Sequence, residues 1–372
     1  MTRWFRPLCY WLILALLHLT PRGRGRYYRL VVLKLDRLGD AVLSLGAVRL
    51  LVKEFGTDNT LLIVSTVAEP FFRREFPAVD LLVLPPFCQN FWPDFVQTMV
   101  RHAAQLRAIT ADHLVCLRHQ PSDYLHAIAA LMNARQIHAS EWILPGERVS
   151  LNYRRAQRVA YPVESTEGCL ELEAHRRVVQ SVLRRPVDFH EMLPVLPSSP
   201  AESNSILLVC PLAGNTIRQY PAASLAAAIA SFLMSTPAVR VTFCLPPGIS
   251  HTLYEQALQG AGLAHVDWVH PSSLEELIQA IRSARMVLAP DSAPAHLATA
   301  LDKPGVFLLG GGQHGMFAPW KRSPRQVWLD HAMDCYHCQW RCIHPEPYCI
   351  THIQASAVAA VLRSVHAAAG LP

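Results

Sequence analysis

The sequence predicts an α/β protein made of two doubly wound parallel-sheet domains, and three observations carry that prediction. Apolar runs rich in Val, Ile and Leu alternate with helical patterns from Tyr28 onward; a Pro/Ser-rich connector without period, "LPVLPSSPAESNS" (Leu193 to Ser205), interrupts them; and the alternation then restarts. Continuous apolar strands separated by helices mark a parallel sheet covered on both faces. A chain of 372 residues is long enough to bury two cores.

In the first half the strand "YRLVVLKL" leads into a helical pattern from Asp40 to Phe55, then "TLLIVST", a short basic helix and "VDLLVLP". A helix near Phe95 to Ile109, the strand "DHLVCLR" and a helix around Tyr124 to Met132 follow. The second half runs "SILLVCPLA", a helix from Ala222 to Met234, "RVTFCLP", a helix near Leu253 to Leu258 and "HVDWVH". It continues with the helix "SSLEELIQAIRSA", the strand "MVLAP", the helix "APAHLATAL" and the strand "GVFLLG". The expected boundaries are a surface segment over 1–26, domains over 27–195 and 205–332, a linker over 196–204, and a Cys-rich segment with a C-terminal helix over 333–372. Two such halves are expected to form a cleft, with ligands outside the carboxyl ends of the strands.

Charged residues at 17% and hydrophobic ones at 51% exclude a disordered chain. The net charge of +6 suits an anionic partner, phosphates or acidic lipid. Nucleic acid is not expected, because no basic surface interleaved with aromatic residues recurs along the chain. The apolar run from Leu8 to Leu19 is shorter than the ~20 residues of a spanning helix. With Trp4, Phe5, Trp11, Arg3, Arg6, Arg22, Arg24 and Arg26 around it, it suits the interface of an anionic membrane; a helix packed on the protein body is the alternative. Among ten cysteines, Cys116, Cys210 and Cys244 sit in apolar strand-like runs and point to a reducing compartment.

"CYHCQWRCIHPEPYC" is different: Cys335, Cys338, Cys342 and Cys349 give C-x2-C-x3-C-x6-C. Four thiolates that close can enclose one tetrahedral ion, so a structural zinc or iron is expected, against disulfides or free thiols. "GGGQHG" (Gly310 to Gly315) matches the dinucleotide fingerprint formally, but "MFAPWKRSP" after it is loop-like, and a flexible glycine loop beside a ligand is the better reading.

Three strand-to-loop corners carry candidate chemistry. "APDSAPAH" places Asp291 and Ser292 at a strand end and opens a helix carrying His296, a mouth suited to a diphosphate or simply an N-cap with a buried His. "PLAGNTIRQYP" adds Gly214, Asn215, Thr216 and Arg218, the positive charge such a diphosphate needs. "KLDRLGDAVLSLGAVRLL" (Lys34 to Leu51) puts Asp40 at a helix mouth, with Gly39 supplying a permissive corner; the carboxylate there is either a cap or a general base.

Taken in order, "KLDRLGDAVLSLGAVRLL", "RQYP", "APDSAPAHLATALDKP" and the Cys-rich tail resemble the bacterial heptosyltransferases of glycosyltransferase family 9, from about Arg29 to the C-terminus. The resemblance implies a GT-B fold of two facing Rossmann-like domains. It implies inverting transfer, without a catalytic cofactor or metal, of heptose from an ADP-sugar donor to a lipopolysaccharide-core acceptor (lipid A-Kdo type), and the aromatic, Arg-flanked N-terminal run predicts a cytoplasmic enzyme peripheral to the inner membrane. Asp40 falls on the family's catalytic Asp, with Lys34, Arg37 and Gly39 on the acceptor side. Arg218 falls on its phosphate-binding Lys, and Asp291, Ser292 and His296 on its donor-binding Asp-Ser-Gly-x-x-His. The sequence departs from that pattern at Ala293 in place of Gly, at Arg218 in place of Lys with Tyr220 in place of Trp, and at "LPPGISH", which lacks the acid that contacts the ribose. The alternatives are a family-9-like transferase with another nucleotide sugar or acceptor, an NAD-type oxidoreductase, for which "DRLGD" lacks the glycine fingerprint, and an inactive GT-B scaffold.

Overall fold

A computed structural model describes residues 15–16, 19, 25–86, 91–118, 123–140, 160–163, 169–197, 205–263 and 265–370. The N-terminal surface segment and most of the connector therefore lie outside the described residues. The chain divides into two compact units, Met1–Leu193 and Pro194–Pro372.

In the first unit six strands form one sheet: β1 (Arg26–Lys34), β2 (Thr60–Ser65), β3 (Asp80–Leu84), β4 (Ile109–Cys116), β5 (Asn133–Ser140) and β6 (Ala160–Val163). Their order is β3-β2-β1-β4-β5-β6, with every pairing parallel. Leu30, Val31, Val32 and Leu33 of β1 are all buried, as the uninterrupted apolar run requires of a strand covered on both faces. The connecting helices are α1 (Leu38–Leu43), α2 (Leu45–Phe55), α3 (Glu69–Glu75), α4 (Phe91–Arg107), α5 (Asp123–Leu131), α6 (Glu171–Leu183) and α7 (Phe189–Met192). α2 buries Leu45, Val48, Leu51, Val52 and Phe55 at helical spacing. Gly46 of that helix lies so close to the Met192 backbone that any Cβ would collide with it.

Two expectations change here. The single helix from Asp40 to Phe55 is two helices joined at Ser44, whose hydroxyl donates to the Ala41 carbonyl at 2.8 Å and competes with the helical ladder. Gly39 is an ordinary helical residue of α1 rather than a permissive corner. β5, "NARQIHAS", and β6, "AYPV", carry no long apolar run and were not marked by the sequence pattern.

The second unit repeats the plan with β7 (Ile206–Val209), β8 (Arg240–Cys244), β9 (Asp267–Val269), β10 (Met286–Pro290), β11 (Gly305–Leu309) and β12 (Gln326–Asp330), in the order β12-β11-β10-β7-β8-β9. Counted within each unit, both sheets read 3-2-1-4-5-6 and reverse direction between their first and fourth strands. That reversal is where doubly wound sheets hold ligands. Helices α8 (Ala222–Leu233), α9 (Thr252–Gly260), α10 (Leu274–Ser283), α11 (Ala293–Ala300), α12 (Tyr348–Thr351) and α13 (Ala355–Ala368) complete the unit. The tail belongs to this core: Cys349, Ile350, Val358, Leu362 and Val365 pack with Leu207, Val241 and Leu288. The buried Tyr220 hydroxyl donates to the Ile353 carbonyl at 2.6 Å and ties the two ends of the unit together. Among the described residues no helix is long and apolar enough to cross a membrane.

Candidate active site

The candidate residues gather at the carboxyl ends of the strands flanking each reversal. In the first unit β1 ends on Lys34, which is only 1% exposed. A buried ammonium must be paired. Lys34 Nζ donates to Glu171 Oε1 at 2.7 Å and lies 3.2 Å from Asp36 Oδ2, while Arg118 Nη1 is 3.3 Å from Asp36 Oδ1 and His175 Nε2 is 3.2 Å from Glu171 Oε1. Burial works to lower the lysine pKa, but Asp36, Glu171 and Asp40 outweigh it and raise it above the ordinary value. Burial likewise opposes the Glu171 charge, and Lys34 and His175 overcome it and hold the carboxyl well below the usual range. Lys34 is thus committed to carboxylates of its own chain and braces the corner from beneath.

Above this network the chain turns into α1. Ser65, at the end of β2, donates its hydroxyl to the Asp36 carbonyl at 2.7 Å and accepts from the Ala68 amide at 3.2 Å, which fixes the corner from the neighbouring strand. Asp40 is the third residue of α1, half-buried, and its Oδ2 accepts from the Arg37 amide at 3.3 Å. The capping contact is therefore real. It does not exhaust the carboxylate, which has about four acceptor positions. Arg37 is exposed beside it.

In the second unit β7 and β10 flank the reversal. After β7 the chain passes through exposed Gly214, Asn215 and Thr216 into a short 3-10 turn, Thr216–Arg218, capped by Asn215 Oδ1 accepting from the Ile217 amide at 3.3 Å. After β10 come Asp291 and Ser292. Asp291 is 3% exposed and His296 4%. Arg218 Nη1 stands 3.7 Å from Asp291 Oδ2, and His296 Nε2 stands 3.2 Å from Asp291 Oδ1. Trp320 Nε1 donates to His296 Nδ1 at 3.1 Å, so the imidazole carries its proton on Nε2, facing the carboxylate. Burial pushes the Asp291 pKa up, but His296 and then Arg218 outweigh it and hold it below the ordinary value.

The geometry thus separates residues that the motif groups together. His296 is buried between Trp320 and Asp291 and orients the carboxylate. Ser292 caps α11 with its backbone, while its hydroxyl donates to the Pro290 carbonyl at 3.1 Å. Pro294 has no N–H, and the amides of Ala295 and His296 turn back to the Ser292 carbonyl, so the mouth at Ala293 offers fewer donors than a free helix N-terminus.

The glycine loop is also corrected. Gly311–Gln313 form a buried 3-10 turn, and rings of the Cys-rich segment press on its backbone: Trp340 against Gly310 and Gly312, and Tyr336 against Gly311. The His337 and Gln339 amides donate to the Gly311 and Gly312 carbonyls at 2.8 and 2.9 Å, and Trp340 Nε1 donates to Gln313 Oε1 at 3.1 Å. These glycines make room for aromatic rings, which local sequence does not reveal.

Cys335, Cys338, Cys342 and Cys349 are free thiols around one cavity of about 10 Å³, with Trp340 and Ile217 in its wall. Burial raises the Cys349 pKa, and the other three sulfurs raise it further. Among the described residues no group of three or more His, Cys, Asp or Glu side chains is arranged to hold a metal ion, so the closed tetrahedral set expected from the spacing is not formed by these side chains. Glu171, Arg118, Trp320 and Trp340 are the site-supporting residues that the sequence motifs missed.

Two doubly wound units, each with its polar groups at the reversal of its sheet, make up the fold of the GT-B class. The profile of glycosyltransferase family 9 (heptosyltransferase) matches residues 127–344, more than half of the chain, and the chain belongs to that family. The fold is similar to that of the E. coli heptosyltransferase WaaC with ADP-2-deoxy-2-fluoro heptose, at 17% identity, covering 90% of this chain and 99% of that one, with a TM-score of 0.59. It is similar to E. coli ADP-heptose lps heptosyltransferase II at 13% identity, covering 91% and 99%, with a TM-score of 0.62. The bacterial iron-containing dodecameric glycosyltransferase TibC from enterotoxigenic E. coli H10407 is similar at 12% identity, covering 93% and 78%, with a TM-score of 0.51. No curated protein matches the chain in sequence.

Proposed function

We propose that this enzyme transfers heptose from ADP-heptose to the lipopolysaccharide core, on a lipid A-Kdo type acceptor, with inversion and without a catalytic metal. The observation that carries this reading is the Arg218–Asp291–His296 chain at the carboxyl ends of β7 and β10, a cation held by an oriented carboxylate. Arg218 exchanges Asp291 for the diphosphate when the donor arrives, and the exposed turn Gly214, Asn215, Thr216 and the Ser292–Ala293 mouth line the same ligand. Asp40 takes the proton of an acceptor hydroxyl as its oxygen attacks the anomeric carbon, the bond from that carbon to ADP breaks on the opposite side, and the configuration inverts. Arg37 and Gly39 lie beside the acceptor, and Lys34 supports them. The fold of two E. coli heptosyltransferases supports the reading, and one of them was solved with an ADP-heptose analogue.

The N-terminal segment holds the enzyme at the cytoplasmic face of the inner membrane through its aromatic and Arg-flanked apolar run. Deleting residues 1–24, which leaves β1 intact, should shift the enzyme from the membrane to the soluble fraction. A structural zinc or iron at the four cysteines stays part of this proposal on two grounds alone, that they supply thiolates around one cavity and that TibC is described as iron-containing, since the described side chains do not themselves form a metal-holding set.

The decisive experiment measures ADP release from a panel of nucleotide sugars with truncated lipopolysaccharide acceptors. Turnover of ADP-heptose alone supports the reading. Turnover of a different nucleotide sugar, with ADP-heptose inert, replaces it with the second reading, a family-9 transferase of other donor specificity. One observation favours keeping that second reading: the strand end after β8, Leu245 to His251, carries no acid, and His251 instead stacks on Trp268 and His270 at ring distances of 4.7 and 5.2 Å.

A further inference from the structure

The first unit has a second concavity, in the amino-terminal half of its strands and away from the carboxyl edge that carries Asp40. Its volume is about 400 Å³, within the range of small-molecule sites. Arg29 of β1, His113 of β4 and Arg135 of β5 line it together with Arg184 at the end of α6, and Phe55 forms part of its wall. Two carboxylates share the lining: Asp112, which accepts the Tyr27 hydroxyl at 2.5 Å, and Glu54. Among the described residues none of the three guanidiniums stands within ion-pair distance of a carboxylate. The Phe55 ring organises two of the groups, with Arg29 Cζ 5.5 Å from its centroid and the His113 ring 5.3 Å away.

Beneath His113 runs a partly buried chain of hydrogen bonds. The Ser181 hydroxyl donates to the Val178 carbonyl at 2.8 Å, so its oxygen accepts from His138 Nδ1 at 2.9 Å. His138 then presents a bare Nε2, which accepts from His113 Nδ1 at 3.2 Å. The chain fixes both tautomers and leaves His113 Nε2 as the acceptor for anything that enters. Burial, with His113 and Arg184, pushes the His138 pKa down to about 4, and burial also lowers that of His113, so burial favours the uncharged form of both imidazoles. The positive charge of the pocket therefore comes from arginines, and its imidazole is an acceptor.

We propose that this pocket binds a phosphate group, its oxygens taken by Arg29, Arg135 and Arg184 and a hydroxyl of the ligand donating to His113 Nε2. Guanidiniums match phosphate in shape and charge, and a neutral imidazole among them suits a partly protonated phosphate or an adjacent alcohol. The site does not depend on which sugar donor the enzyme uses. A soluble phosphate ester and a phospholipid headgroup share this chemistry.

The test titrates the full chain with inorganic phosphate by calorimetry, and with vesicles of equimolar phosphatidylcholine and phosphatidic acid by co-sedimentation. Arg218→Ala serves as background, to silence phosphate binding at the donor loops. Saturable phosphate binding that persists in this background and weakens roughly tenfold to hundredfold on adding Arg135→Gln, with the melting temperature unchanged, is the expected result. If Arg135→Gln also reduces vesicle binding, the source is a lipid headgroup; if vesicle binding is unchanged, it is a soluble ester. Transfer activity of Arg135→Gln alone stays at the wild-type level. Absence of phosphate binding in the Arg218→Ala background, or binding indifferent to both Arg29→Gln and Arg135→Gln, overturns the proposal.

Discussion

The indole of Trp340 lies under the guanidinium of Arg218, with Arg218 Cζ 6.0 Å from the ring centroid. The same ring covers the backbone of Gly310 and Gly312 and donates its N–H to Gln313. One side chain of the Cys-rich segment thus touches both the cationic turn after β7 and the glycine turn after β11.

Removing that ring should act on donor binding rather than on chemistry. Trp340→Ala is expected to raise the donor KM roughly tenfold, the loss of one such cation–π contact and its packing, with a much smaller change in kcat. Trp340→Phe keeps a ring under Arg218 and loses only the bond to Gln313, so its KM should fall between the two. Steady-state kinetics with donor varied at saturating acceptor read this out; equal losses in kcat for both variants would assign Trp340 to folding alone.

Asp40→Asn separates the cap from the base. The amide oxygen can still accept from the Arg37 amide, as Asp40 Oδ2 does at 3.3 Å, so the melting temperature and ADP binding should hold. Turnover should drop roughly 10²–10⁴-fold, the usual range for lost acid–base help. Near-normal turnover would leave Asp40 a helix cap only.

Lys34→Met takes the ammonium from the buried Glu171 carboxylate and leaves Asp36 with Arg118 alone, and should cost about 3–5 kcal/mol, much of it recovered in the double variant with Glu171→Gln. The pH dependence follows from the shifts. The Glu171 pKa lies below its ordinary 4.5 in the folded chain, so its contribution is present above 4.5 and is lost as pH falls from there through the lowered value. The Lys34 pKa lies above its ordinary 10.5, so its contribution is present below 10.5 and is lost as pH rises through the raised value. The stability gap between wild type and Lys34→Met should therefore be widest within that window and narrow toward either end, measured by denaturant unfolding across pH.

Protein purified under reducing conditions should carry zinc or iron in proportion to chain, and Cys338→Ser should release it. Elemental analysis decides the point. Because the Cys-rich segment covers the glycine turn, metal release should also weaken ADP binding; a chain free of metal that binds ADP normally would remove the ion from the account.

Much of the fold was legible because buried parallel strands advertise themselves. "YRLVVLKL" and "MVLAP" are apolar on both faces, and the corners after them named Asp40 and Asp291 directly. β5 was not legible, because its polar residues, Arg135, Gln136 and His138, face a pocket and a buried hydrogen-bond chain instead of a uniform core. His296 read as a donor-binding residue or a buried histidine from its place one turn into α11, and its partner Trp320, which donates to its Nδ1, was not legible because no local spacing connects the two. Gly310 to Gly312 read as a flexible loop beside a ligand, and their backbone is instead packed under Trp340 and Tyr336.

The pair of Lys34 and Glu171, 137 residues apart, also sets a timetable for synthesis. At about 5–20 residues per second, the ribosome needs roughly 7–27 s to make the carboxylate that neutralises a lysine already translated within an apolar strand. Until then the corner bearing Asp40 lacks its lower brace, and Lys34 has only the neighbouring Asp36 where the finished sheet also gives it Glu171. A nascent chain halted short of Glu171 would therefore leave the first strand as a client for chaperones, and the corner would be among the last parts of its unit to set.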